Sequence, residues 1–253
     1  VNLLNTPCIM VIEIAANSLQ SAINAQLGGA TRIELCSDLE LGGITPSAGL
    51  IRKVRSALHI PIYVLIRPRA GDFIYWDFEF ETMLADIEFC KSENIDGIVT
   101  GVLDNNAKID KERLLLIKEV AGAMPVTFNR AFDVTASSEE AIQILIECGV
   151  ERVLTSGQKS SAIDGRFLIK QLVDKVGKKI IIMAGSGINE NNILPISEFT
   201  GVDEFHTSSK ILVKSQMVHL HRDIKISSNN DNHENDYYIS DLQKIKKVVN
   251  ALS

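Results

Sequence analysis

The segment Gly201–Thr207, GVDEFHT, has three counterparts earlier in the chain: GATRIEL at 29–35, NIDGIVT at 94–100 and GVERVLT at 149–155. Each follows a helical pattern and opens an apolar run. In three of them the first residue is glycine, which suits the left-handed exit of a helix. Between these heptads lie runs that open differently, IPIYVLI at 60–66 and MPVTFNR at 124–130. Proline can begin a strand but cannot sit inside a paired one. The alternation predicts a two-strand unit repeated around a ring.

Working outward, strand candidates fall at 9–15, 31–36, 61–67, 96–101, 124–130, 151–156, 179–185 and 203–208. Helical periodicity fills the intervals, for example at 47–57, 78–92, 110–121, 138–147 and 163–176. Strands alternating with crossover helices predict an α/β protein, a closed (β/α)8 TIM barrel forming a single domain over 1–253. An open doubly wound sheet is the rival, because strand number does not prove closure. The segment 210–239 reads as a polar loop. Its run SSNNDNHEND (227–236) cannot offset the entropy of folding by burial, and a last helix is expected at 240–251.

Composition narrows the function. Of 253 residues 45% are hydrophobic, and the formal net charge is −6. That balance argues against a general nucleic-acid or anionic-membrane binder, since both need a basic surface. No uncharged apolar run reaches the length of about 18 residues that a membrane span needs. The opening VNLLNTPCIMVIEIAANS lacks a basic leader, and Glu13 interrupts its apolar run, so it reads as a first strand and not a signal peptide. Cys8, Cys36, Cys90 and Cys148 are far apart and form no C-x-x-C pair, which fits free thiols in a reducing compartment.

The candidate site residues sit at predicted strand ends. Arg67 and Arg69, in VLIRPRAGDF, are two apart and would share a side of an extended chain. Arg69 and Asp72 repeat as Arg130 and Asp133 in the phrase R-A-x-D, a spacing that allows a local charge-assisted pair to fix a turn. The carboxylates Asp72 and Asp133 are thus structural or site groups. Arg67, Arg69 and Arg130 are candidates for binding a carboxylate or phosphate. Glu13 and Glu34 stand in otherwise apolar strands. They would form either a buried salt-bridge layer with the arginines or a general acid–base pair. His206, at the end of the last barrel strand, is a candidate proton shuttle or ligand. Gly185, Ser186 and Gly187 follow the seventh strand, where glycine-rich turns commonly receive phosphate in this fold, and where a tight turn needs glycine anyway. Cys36 shares a strand face with Glu34 and is the one thiol expected at the mouth, hence the candidate soft-metal ligand.

The segments RIELCSDLELGGITPSAG, IRPRAGDFIY, GIVTGVLD, VTFNRAFD, RVLTSG, IIMAGSGI and EFHTSS, in this order along nearly the whole chain, resemble the CutC family. The resemblance implies a TIM barrel, a cytoplasmic location, a role in copper homeostasis with Cu(I) binding or trafficking, and homodimers in some members. Two positions depart from the pattern. Members proposed to bind copper carry a Cys at the end of the first strand, where this chain has Ala15, and many carry a His where it has Asn129. The residue pattern itself supports a second expectation, an enzyme acting on a small anionic metabolite at the mouth.

Overall fold

The computed structural model describes residues 10–219 and 235–252. Eight parallel strands alternate with helices: β1 (Val11–Ala16), α1 (Leu19–Leu27), β2 (Arg32–Leu35), α2 (Ala48–Ala57), β3 (Ile62–Leu65), α3 (Asp77–Ser92), β4 (Gly97–Thr100), α4 (Lys111–Ala121), β5 (Val126–Phe128), α5 (Ser138–Glu147), β6 (Arg152–Thr155), α6 (Arg166–Val176), β7 (Ile181–Gly185), α7 (Ile193–Thr200) and β8 (Glu204–Thr207). Each strand pairs with the next. The last closes on the first through Val11 opposite Glu204 and Ile14 opposite Thr207. The protein is a closed (β/α)8 barrel, and the open-sheet rival is excluded by that final pairing.

The heptad echo has a backbone cause. Its first residue is left-handed every time, at φ +89° for Gly29, +54° for Asn94, +67° for Gly149 and +77° for Gly201. The chain leaves each helix through this conformation and enters β2, β4, β6 or β8 three residues later. At the other ends, Ser18, Ser47, Asp110 and Ser137 accept hydrogen bonds from first-turn N–H groups and so start α1, α2, α4 and α5.

Strand side chains divide by face. Ile14, Ile33, Leu35, Val64 and Ile98 join Ala25, Val54, Met83 and Ile87 of the helices in the main apolar core. Tyr63, Leu65, Val99 and Cys36 form a small separate cluster. An ionic chain also runs through the barrel lumen. Arg152 meets Glu204 at 2.5 Å, Glu204 meets Arg32 at 2.8 Å, and Arg32 meets Glu13 at 2.5 Å. The Arg32 and Arg152 guanidiniums also lie over the Tyr63 ring, 4.9 and 5.6 Å from its centre. Gly97 makes room for that ring, since a Cβ there would stand 2.6 Å from it. Barrels of this kind are usually filled by bulky branched residues. Here charges fill the lower layers, tolerable under burial because each finds an opposite partner.

The segment 210–239 departs from the expected loop at both ends. Lys210–Val213 forms β9 and Tyr237–Ser240 forms β10, paired antiparallel with Lys210 opposite Ser240. The β-branched and aromatic residues of KILV and YYIS favour a ladder, and the polar run between them obscures this in the sequence. Most of that run lies outside the described residues, as do Cys8, His221 and His233. The hairpin is anchored on the barrel. Ser240 Oγ donates to Ala15 O, its N–H donates to Ser21 Oγ, and Asn17 donates to Tyr238 O. The last helix, α8, spans Leu242–Asn250 and starts later than expected because Asp241 caps it. It packs so closely on the end of α1 that a Cβ on Gly28 would stand 2.4 Å from Ile245. Among the described residues no helix is long and apolar enough to cross a membrane.

Candidate functional site

The C-terminal ends of the strands enclose two adjoining cavities. One, of about 300 Å³, is lined by Glu34, Arg67, Asn129, Arg130 and His206 among others. The second, of about 710 Å³, shares Glu34, Arg130 and His206 with it and extends to Ser186, Gly187, Lys210 and Lys244. Glu34 and His206 therefore stand where the two meet.

His206 is held between two carboxylates. Its Nδ1 lies 2.8 Å from Glu13 Oε1, and its Nε2 lies 3.5 Å from Glu34 Oε2. Glu13 is fully buried at 0% exposure. Burial works against its ionisation, but Arg32 and the His206 ring outweigh this and hold the carboxyl at about 2. Among the described residues no guanidinium touches Glu34. Burial dominates there, reinforced by the Glu13 charge and opposed by His206 and Arg32, and pushes its carboxyl up to about 7. Burial also opposes charging of His206, yet the flanking Glu34 and Glu13 carboxylates raise its pKa above the ordinary value. The carboxylate partners are thus Arg32 and His206, in place of the strand-end arginines expected from the sequence.

Those arginines diverge. The strand ends at Leu65, so extended geometry does not continue, and Arg67 and Arg69 part company. Arg69 turns outward to pair with Glu79 at 2.7 Å and Asp72 at 3.0 Å, and it lines neither cavity. The acidic first turn of α3 thus holds Arg69 away from the groups that line the mouth. Arg67 is 6% exposed. Its guanidinium donates to the carbonyls of Leu41, Gly43 and Gly71 and lies over Phe73. Its Nε is buried without a partner, and among the described residues no carboxylate neutralises it. Arg130 pairs with Asp133 at 2.9 Å and donates to Ser156 Oγ at 3.0 Å. Asp133 also accepts from Thr155 Oγ1 and from the N–H groups of Ser156 and Gln158, so it locks the β6 exit turn. Both R-A-x-D phrases thus make the local pair that their spacing allows.

Asn129 is 7% exposed and lines the smaller cavity. Its Oδ1 accepts from Ala131 N at 2.9 Å, which fixes the amide orientation, and its NH2 meets no acceptor among the described residues. Gly101 makes this possible, because a Cβ there would stand 2.2 Å from that oxygen. Gly185 lies in β7, where a Cβ would meet Leu154 at 2.5 Å. Ser186 and Gly187 follow in left-handed conformation at φ +76° and +75° and line the larger cavity. Sequence reading passed over Arg32, Arg152, Glu204 and Tyr63. The clue was the i, i+2 spacing of Arg32 with Glu34 and of Glu204 with His206, which puts each pair on one strand face.

The residues around Cys36 do not fit a copper site. The thiol is 1% exposed and lies 3.8 Å from Ala16 O. Burial, together with Glu34 and Asp38, pushes its pKa well up and disfavours the thiolate that Cu(I) prefers. Ala15 supplies no second sulfur. Among the described residues no three His, Cys, Asp or Glu side chains are grouped to hold a metal ion. Cys36 is accordingly not placed as a metal ligand. Cys90 and Cys148 are buried free thiols.

A model described as the CutC family matches residues 10–211. A family protein CutC from Xylella fastidiosa strain 9a5c is 41% identical over 96% of this chain and 88% of its own. A mouse protein named copper homeostasis protein cutC homolog is 41% identical over 96% of this chain and 89% of its own. The crystal structure of CutC from Streptococcus agalactiae superposes with a TM-score of 0.76 at 33% identity, covering 79% of this chain and 98% of that one. A family match over most of the barrel, and relatives that align nearly end to end, make this chain a member of the CutC family.

Proposed function

We propose that the protein serves copper homeostasis, the role stated in the name of its mouse relative, that it does so in the cytoplasm, and that its working surface is the barrel mouth. Family membership carries this reading. Because the Cys36 surroundings do not fit Cu(I), the role is read as one exerted without a thiolate copper cage inside this barrel. Titration with Cu(I) against a competing chelator tests that. The expected result is no one-to-one complex. A stoichiometric complex that vanishes in Cys36→Ser would restore Cys36 as a ligand and Cu(I) as bound cargo.

A second reading, compatible with the first, is that the mouth binds a small anionic ligand. Arg67 supports it: a buried guanidinium held by carbonyls, with no carboxylate among the described residues to neutralise it, beside Arg130 and the amide of Asn129. A phosphate or carboxylate would supply the missing charge through charge-assisted bonds. Melting curves with phosphate and small organic acids test it. A ligand at a hundred times its Kd adds about 2.7 kcal/mol of stability. The shift should disappear in Arg67→Gln. No shift with any such anion would count against the reading.

A further inference from the structure

We propose that the mouth is an enzyme active site for proton transfer next to a carbonyl of a small anionic substrate, with Glu34 and His206 as the catalytic pair. The proposal rests on the anion reading and adds the chemistry. Three features of the geometry carry it.

The first is an oriented histidine. Glu13 fixes the His206 ring at Nδ1 and is itself fixed by Arg32, so Nε2 is aimed at Glu34 and the cavity. A base steered by a buried carboxylate is the arrangement that proton-transfer sites require. The second is an uncommitted carboxylate. Among the described residues Glu34 makes no hydrogen bond closer than the 3.5 Å contact with His206, and it lines both cavities. The near-neutral pKa of Glu34 and the raised one of His206 allow the pair to share one proton. The third is the Asn129 amide. It is more than nine-tenths buried, its orientation is fixed by Ala131, and its NH2 is free to donate to a carbonyl oxygen. Such a donor stabilises charge that develops on that oxygen.

The step balances within the site. With the shared proton on His206, the Glu34 carboxylate takes the proton of the C–H bond beside the substrate carbonyl. The C–H electron pair moves into the C–C bond and the carbonyl electrons to oxygen, facing Asn129. His206 then gives its proton to the enolate oxygen, which leaves the enol. The proton on Glu34 passes back to His206 and resets the pair, and the reverse steps return a proton from the pair to the carbon. The net reaction is an isomerisation, with no oxidant, reductant or co-reactant. The substrate class is a compound of a few carbons that carries a carbonyl and, near it, a carboxylate or phosphate for Arg67 and Arg130.

The experiment is hydrogen–deuterium exchange followed by proton NMR. The full chain is incubated in D2O with a panel of 2-oxo acids and sugar phosphates of three to six carbons, and binding is scored in parallel by melting temperature. The expected result is protein-dependent loss of the signal beside the carbonyl of at least one binding probe. Exchange should fall about 10²–10⁴-fold in Glu34→Gln and in His206→Gln. Asn129→Ala, which leaves the ion pairs intact, should slow exchange by a larger factor than it weakens binding, since its donor bond strengthens as charge develops on the oxygen. Probes that bind without exchange, or exchange equal in all variants, would overturn the catalytic proposal and leave the anion reading standing. Binding by the oxo acids alone or the sugar phosphates alone identifies the oxyanion. Failure of every probe to bind overturns both.

Discussion

Glu13 and Glu34 lie in one barrel lumen yet titrate in opposite directions, because among the described residues a guanidinium touches Glu13 and none touches Glu34. The stability consequences follow from the signs. Glu13 falls from 4.5 to about 2, so its contribution is complete above pH 4.5 and is lost as pH falls toward 2. Glu34 rises from 4.5 to about 7, so its contribution is complete below pH 4.5 and is lost as pH climbs through 7. His206, raised above 6.5, acts in the same direction as Glu34. Urea unfolding between pH 5 and 8 should therefore show stability falling with pH, and Glu34→Gln should remove about 1–3 kcal/mol of that fall. An unchanged slope would mean that Glu34 titrates alike in the folded and unfolded chains. At this scale the sequence marked Glu13, Glu34 and His206 as charges in apolar strands, and they do converge. It could not say which arginine would meet them. Arg67 and Arg69 stand two residues apart and end up facing different surroundings, since the strand stops before either.

Elements were the most legible scale, because strand and helix periods are local properties of the chain. The echoing heptads mark four helix exits, and all four use the left-handed conformation. Two glycines of these heptads do different work, which a single substitution type separates. At Gly149 nothing lies within 4 Å of an added Cβ, so Gly149→Ala meets only the backbone penalty at φ +67°, about 1 kcal/mol. At Gly97 the Cβ would strike the Tyr63 ring at 2.6 Å, so Gly97→Ala should cost about 1–3 kcal/mol by overpacking, recovered in part by Tyr63→Leu. Chemical denaturation of the four variants checks this. Rescue of Gly149→Ala by the Tyr63 change would contradict the assignment. The β9–β10 hairpin escaped sequence reading for a physical reason: its two strands are short and separated by a long polar insertion, so their pairing is a non-local event.

Taken as a whole, the barrel is closed by charge as well as by backbone pairing. Arg32, on β2, bonds Glu13 on β1 and Glu204 on β8, and so spans the seam where the last strand meets the first. Arg32→Met should cost about 3–5 kcal/mol, because it leaves buried carboxylate charge uncompensated. Adding Glu13→Gln should recover part of that loss. Urea midpoints of the single and double variants measure it, and a cost below about 1 kcal/mol for the single change would show the pair is dispensable. The amino-acid sequence by itself determined the repeating strand–helix rhythm, the helix exits, the strand positions and the two R-A-x-D turns, since each depends on neighbours within a few residues. Only the tertiary structure decided that the ring closes, that Arg32 and not Arg67 or Arg69 neutralises Glu13, that among the described residues Cys36 sits without a sulfur partner, and that Glu34, Asn129 and His206 border one cavity. Those outcomes depend on distances between residues up to 193 positions apart, as for Glu13 and His206, and no local pattern encodes them.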